Sequence, residues 1–280
     1  MAYEYTVYNK GNILKLSGQQ SKWQIRSVTG LNPPSSRIQE SEFVGVPGVR
    51  KTGSKVGKRN IVITLHINHP CERNRDELLT ALNTDDEITL QIKTPRKDVT
   101  IKGTIESNEY EVYTRSQEMQ ISILCDYPYF KSGKERVTNY VESTGGFEFP
   151  MSFEEDDTFD FDNLDILDRF IVYNYGQITT GLKIELQVHS YSDELKVYNV
   201  DDPTKYFSLK GGFETGDRIL IDTNINADDK VVLIRNGIQT KILNRLMYGV
   251  TWFQIKDILV LGVEGNAYMT ITNQDELAGV

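Results

Sequence analysis

The sequence is short of the residues that mark secreted, membrane-bound or catalytic chains. Cys71 and Cys125 are its only cysteines in 280 residues, too few for a disulfide framework and suited to a reducing compartment. The longest stretch without Asp, Glu, Lys or Arg is 170–182, well below the ~20 residues that span a bilayer. The start, Met1-Ala-Tyr-Glu-Tyr5, has neither a basic region nor an apolar one, so no signal peptide is expected. Also missing are G-x-S-x-G, H-E-x-x-H and G-x-G-x-x-G, which would mark a nucleophile elbow, a zinc protease or a dinucleotide fold. These gaps point to a soluble protein made in the cytoplasm, with no enzyme chemistry indicated.

Hydrophobic residues make up 39% and charged residues 25%, the balance of a chain that buries a core. The net charge of −9 is unevenly spread. Residues 1–140 carry 20 basic and 16 acidic side chains, a balance of +4, whereas residues 141–280 carry 11 and 24, a balance of −13. The split implies two domains with different neighbours. A half with that much negative charge would repel a nucleic-acid backbone, so sequence-specific nucleic-acid binding is not expected.

Period-two alternation dominates the pattern. In 61–67 the residues Ile61, Ile63, Leu65 and Ile67 point one way and Val62, Thr64 and His66 the other, as in a half-buried strand. Strands are expected likewise at 3–8, 22–28, 87–93, 98–106, 117–124, 182–189, 195–200, 218–223, 230–235, 252–256 and 258–263. One helix is expected over about 72–83, with Leu78, Leu79 and Leu82 as its apolar stripe. Asn236-Gly237 predicts a tight hairpin. Segments 29–37 and 45–58 read as loops from their Gly, Pro and Ser content. A composition change at 126–150 places a domain boundary near 135.

Several residue groups invite a chemical reading. Gly53-Ser-Lys-Val-Gly57-Lys58-Arg59 has glycines too close together for a phosphate loop and leads into a strand rather than a helix. His66, His69 and Cys71 offer three ligands but no second pair for a closed zinc site. In the acidic run Glu154 to Asp168, a calcium loop begun at Asp160 would put Asp165 at the turn glycine and Ile171 at the bidentate glutamate, so a solvated acidic loop is expected. Metal ligands and cofactors are therefore not assigned. Trp252, with Tyr248 nearby, fits a sugar-stacking platform or a core tryptophan, and the core is expected. Arg50, Lys51, Lys55, Lys58 and Arg59 put five positive charges and no acid in one Gly-spaced segment. That segment reads either as a solvated loop or as an arm for an acidic neighbouring subunit.

The order of short motifs resembles one family along nearly the whole chain. Arg59-x-Ile61-x-Ile63 precedes a helix ending Glu77-Leu-Leu79-x-x-Leu82. Cys125-Asp-Tyr-Pro128-Tyr-Phe130 and Gly145-Gly-Phe-x-Phe-Pro150 follow. Next stand Asn174-x-Gly176, Leu209-x-x-Gly212, Gly216-Asp217-x-x-Leu220-Ile-Asp222-Thr223, Trp252 and Gly265-Asn266. In this order and separation they resemble the distal tail protein (Dit) family of siphophages. Where the family pattern has Asp or Asn after the Asn-x-Gly pair and a proline further on, this chain has Gln177 and Gly181.

The resemblance implies an all-β fold with one short helix. Residues 1–135 would form a split β-barrel related to tail-tube proteins, and residues 136–280 a galectin-like β-sandwich. It also implies a structural role in a phage or phage-derived tail, assembled after synthesis in the bacterial host cytoplasm. Six copies would form a ring joining the tail-tube protein to the tail-tip hub or tail-associated lysin and to a receptor-binding protein. The competing readings are a carbohydrate-binding module and a tail-tube protein proper.

Overall fold

The computed structural model describes residues 3–16, 21–43, 45, 47–111, 117–139, 169–225 and 227–280. The motif 145–150 and the acidic run 154–168 lie outside the described residues. The chain divides into unit 1, Met1–Lys134 with Glu276–Val280, and unit 2, Glu135–Asp275. The last five residues are therefore part of unit 1, not of the second domain to which the composition assigned them. They are placed there by their bonds and contacts, which a composition shift cannot reveal.

Unit 1 contains β1 (Glu4–Asn9), β2 (Asn12–Leu16), β3 (Trp23–Thr29), β4 (Ser36–Glu42), β5 (Val49–Val56), β6 (Arg59–Ile67), α1 (Cys71–Ala81), β7 (Glu87–Lys93), β8 (Asp98–Tyr110), β9 (Glu118–Cys125) and the start of β10 (Phe130–Thr138). Its main sheet is antiparallel in the order β3-β6-β9-β8-β7-β1-β2. In β6 the expected alternation holds, with Ile61, Ile63 and Leu65 fully buried. Leu78 and Leu82 carry the helix onto that core, and Trp23 Nε1 donates to Asn74 O of α1 at 2.8 Å. Among the described residues no ladder joins β2 to β3, so the sheet has two strand edges.

β4 and β5 form a separate two-stranded antiparallel sheet with no buried residue. The loop expected over 45–58 is thus mostly a strand. With neither face buried, no apolar alternation could betray it, and its glycines read as punctuation. Gly45 and Gly48, at φ of 85° and 98°, serve the turn that joins the two strands.

Unit 2 contains the rest of β10, β11 (Arg169–Tyr173), β12 (Thr180–Gly181), β13 (Lys183–Val188), β14 (Ser192–Asn199), β15 (Tyr206–Phe213), β16 (Arg218–Asp222), β17 (Val231–Arg235), β18 (Ile238–Lys241), β19 (Gln254–Ile255), β20 (Ile258–Glu264) and β21 (Ala267–Leu277), whose last two residues enter unit 1. One sheet runs β18-β17-β16-β13-β21, another β11-β20-β14-β15, and β12 pairs with β19. Their inward side chains, among them Phe207, Leu209, Ile219, Leu261 and Ile271, form one core. Asn236 and Gly237 take positive φ in the β17–β18 turn as expected. The free edge of β15 is capped by the following chain: Met247 N donates to Ser208 O at 3.0 Å and Thr251 N to Tyr206 O at 2.6 Å.

The motif residues of unit 2 fasten corners. Asn174 is buried and its Nδ2 donates to the carbonyls of Ile178, Ile255 and Lys256, while its Oδ1 accepts from Gly176 N. Thr223 Oγ1 accepts from Leu182 N at 2.7 Å. The buried carboxylate of Asp217 receives Arg235 Nε at 2.9 Å and Nη2 at 2.6 Å, and Glu214 N at 2.8 Å. Those donors, Arg235 first, hold Asp217 below the usual carboxylate range against the opposing effect of burial. Because its folded value is depressed, the stabilisation is present above the unfolded value of about 3.9 and is lost as pH falls through the folded one. Asp217→Asn is expected to destabilise unit 2 by about 2 kcal/mol at neutral pH, a figure reduced because the Arg235 side is partly exposed. Urea titrations at neutral and acid pH should show the difference between parent and variant shrinking in acid.

Candidate functional site

The five basic residues singled out in the sequence separate into three environments. Arg50, Lys51 and Lys55 are exposed on β5. Lys58 lies beyond it and pairs with Asp126 at 2.9 Å, both side chains being well exposed. Arg59 does not belong with them: it opens β6 and is only 3% exposed. Alternation explains the difference, since Arg59 has the same parity along β6 as Ile61 and Ile63 and therefore points inward.

Among the described residues Arg59 is bonded only to main-chain carbonyls. Nε donates to Pro128 O at 2.6 Å, Nη1 to Gly30 O at 2.6 Å and Asn32 O at 2.7 Å, and Nη2 to Ala278 O at 2.6 Å. The guanidinium also lies 4.5 Å from the Phe130 ring centroid. Burial pulls its pKa below the ordinary arginine value. Gly30 makes this approach achievable, because at φ 84° a Cβ on it would sit 2.0 Å from Asn60 O. Close by in sequence to the Pro128 acceptor, Cys125 is fully buried and its thiol is pushed up to about 11 by burial, so it is an inert core residue.

The C-terminal segment of unit 1 shares this anchorage. Lys97 Nζ donates to Gly279 O at 3.2 Å and Val280 N to Leu31 O at 3.2 Å. Tyr127 donates through its hydroxyl to the buried carboxylate of Glu276 in a short hydrogen bond. Burial raises the pKa of Glu276, with the Tyr127 hydrogen bond and Lys131 acting the other way.

The remaining sequence candidates do not assemble into a site. His66 is on the outward face of β6, His69 precedes Pro70, and Cys71 Sγ lies 3.5 Å from Ile67 O at the start of α1. Among the described residues no group of three or more His, Cys, Asp or Glu could hold a metal. Trp252 is half-buried, packs against the core of unit 2 and meets Phe207 edge-on at 5.3 Å. The core position belongs to its neighbour Phe253, at 3% exposed. Tyr248 is 98% exposed, and its carbonyl accepts from the Tyr206 hydroxyl at 3.4 Å; it does not build a stacking platform with Trp252.

Strand pairing adds Arg37 to the basic segment singled out in the sequence and brings together a second surface that the sequence reading missed. The register of β4 and β5 puts Arg37 opposite Lys55, Gln39 opposite Gly53 and Ser41 opposite Arg50, so one face of this arm carries three positive charges and no acid. On the main sheet, a groove of about 390 Å³ is lined by Glu109, Glu111 and Glu118 with Thr64, Tyr110, Met119 and Gln120. Both surfaces depend on pairing across strands, which one sequence does not display. Among the described residues no helix is long and apolar enough to cross a membrane.

No family model and no curated protein matches the sequence. Solved structures share its fold. The Dit protein (gp 19.1) of phage SPP1, described as a paradigm of the hub adsorption apparatus in phages infecting Gram-positive bacteria, superposes with a TM-score of 0.71 at 16% identity, over 97% of this chain and 98% of its own. A chain of the phage P2 baseplate in its activated conformation with Ca gives 0.60 at 10% identity over 100% of both chains. The same baseplate with Sr gives 0.55 at 11% over 99% of both. The fold resemblance read from the motifs is thus met by phage Dit and baseplate structures along the whole chain.

Replacing Arg59 with an uncharged side chain would remove four hydrogen bonds from the carbonyls of Gly30, Asn32, Pro128 and Ala278. Arg59→Met is expected to destabilise unit 1 by about 3 kcal/mol or more while unit 2 keeps its stability, as hydrogen exchange resolved by unit would show. Glu276 gives a second expectation, with the opposite sign to Asp217. Its folded pKa is raised, so its contribution is complete below the unfolded value and declines as pH rises through the folded one. Glu276→Gln should flatten that decline, measured as the urea midpoint of unit 1 between about pH 4 and 8.

Proposed function

We propose that the chain is a structural, non-enzymatic component of a phage or phage-derived tail tip, acting as the hub of the baseplate. The observation that carries this reading is the fold shared with the SPP1 Dit protein over 97% of this chain, together with its likeness to a phage P2 baseplate chain over the full length. In this reading unit 1 is a tube-like split barrel and unit 2 a galectin-like sandwich. Six copies form a ring that joins the tail-tube protein to the tail-tip hub or lysin and to the receptor-binding protein, and the chain ends up in the virion tail.

The geometry of unit 1 supports ring formation. Among the described residues no ladder joins β2 to β3, and a strand edge that lacks a ladder partner can pair with another copy. Head-to-tail contacts of that kind close into a ring when the rotation between copies is right. Stable closure calls for roughly 1,000 Å² or more of buried surface per contact.

Purified protein at tens of micromolar is expected to run at about six times 32.0 kDa, or twice that for stacked rings, and to show a central hole in negative-stain images. Monomer alone by light scattering, with no rings on the grid, would refute the proposal.

A further inference from the structure

The β4–β5 arm is an anomaly within unit 1. It is a two-stranded ribbon in which no side chain is buried, and such a ribbon is marginal by itself in water. Arg37 and Lys55 are set directly opposite each other across the strands, an arrangement that disfavours the ribbon in isolation. Arg50 extends the same positive face from its position opposite Ser41. Among the described residues no carboxylate pairs with Arg37, Arg50 or Lys55. The other face is different in kind: Ile38 and Val49, both more than half exposed, share it with Glu40, Glu42 and Lys51. The charges on the arm are thus sorted by face, and among the described residues the basic face has no acidic partner.

The groove at the end of β8 and β9 is complementary to it. Glu109 lies opposite Gln120 on the outward face, Glu118 lies opposite His66, and Glu111 follows β8 directly. These three glutamates line a concavity of about 390 Å³. Glu106 continues the acidic strip along the same face, where its carboxylate accepts from Ser122 Oγ at 2.9 Å. Glu109 and Glu111 bring like charges together at this end of the sheet, and a cationic segment seated there would offset that cost.

We infer that the acidic groove between β8 and β9 receives the basic face of the β4–β5 arm from a second copy of this chain, with Lys55, Arg50 and Arg37 supplying the cations. Every copy carries both arm and groove, so the contact can run head-to-tail and repeat around a closed ring, as the ring reading requires. The assignment rests on the ring reading proposed above and names the side chains that would make it. Exposed ion pairs contribute little one at a time, so the three act together, and salt weakens them.

The test uses the full-length chain. Light and heavy isotope-labelled copies are mixed and treated with a carbodiimide, which joins a lysine amine to a carboxylate in contact with it, and the linked peptides are identified by mass spectrometry. Lys55 is expected to be joined between copies to Glu109, Glu111 or Glu118. If Lys55 forms no link between copies, or forms them only to other carboxylates, the pairing is wrong. Rings seen without the link would leave the hub reading standing and overturn this one; the link without rings would do the reverse. Charge reversal gives an independent check. Reversing the arm (Arg37→Glu, Arg50→Glu, Lys55→Glu) or the groove (Glu109→Lys, Glu111→Lys, Glu118→Lys) should weaken self-association at least about tenfold at low salt. Combining both sets should restore it to within about threefold of the parent. Either set alone associating like the parent, or no recovery in the combination, also overturns the assignment.

Discussion

Unit 1 is organised around one buried cation that, among the described residues, has no carboxylate partner. Arg59 is held by four carbonyl dipoles and one aromatic face. A guanidinium suits this role because its donors form a rigid planar fork and its charge persists at every accessible pH. The four acceptors come from three separate stretches: the turn after β3, the turn before β10 and the segment that follows β21. A carboxylate partner would have satisfied the charge at one point. Carbonyls spread the same charge over several segments and bind them together.

This arrangement explains why the short motifs occur in the order they do. Arg59 is far in sequence from Pro128 and Phe130 and meets both at one place. In unit 2, Asn174, Asp217 and Thr223 each tie down a turn or strand end with bonds their type supplies. Residues that recur in a fixed order need not form a reactive centre. Here they fasten corners of the fold.

What the sequence disclosed follows from burial. β6 and β9 have one face in the core, and their alternation is plain. The helix and the Asn236-Gly237 turn were equally legible, for each carries its own local signal. The arm strands were not, because alternation arises only when one face is dry. Trp252 and Phe253 are adjacent, and one residue of register decides which goes inward. Arg59 was misread for a related reason: it was grouped with charges near it in sequence, whereas the strand parity it shares with Ile61 sets its environment. The basic face and the acidic groove needed knowledge of which strands lie side by side.

The membership of residues 276–280 in unit 1 has a bearing on how the protein is made. Synthesis runs from the first residue onward, and these five follow the whole of unit 2. Throughout the making of residues 135–275, roughly ten seconds at ordinary translation rates, the emerging first unit lacks the Ala278 acceptor for Arg59 and the Glu276 partner of Tyr127. Its native contacts are completed only once residues 276–280 have been made. A nascent chain that stalls short of that point leaves an unclosed unit 1, so premature termination removes both units from use rather than the second alone.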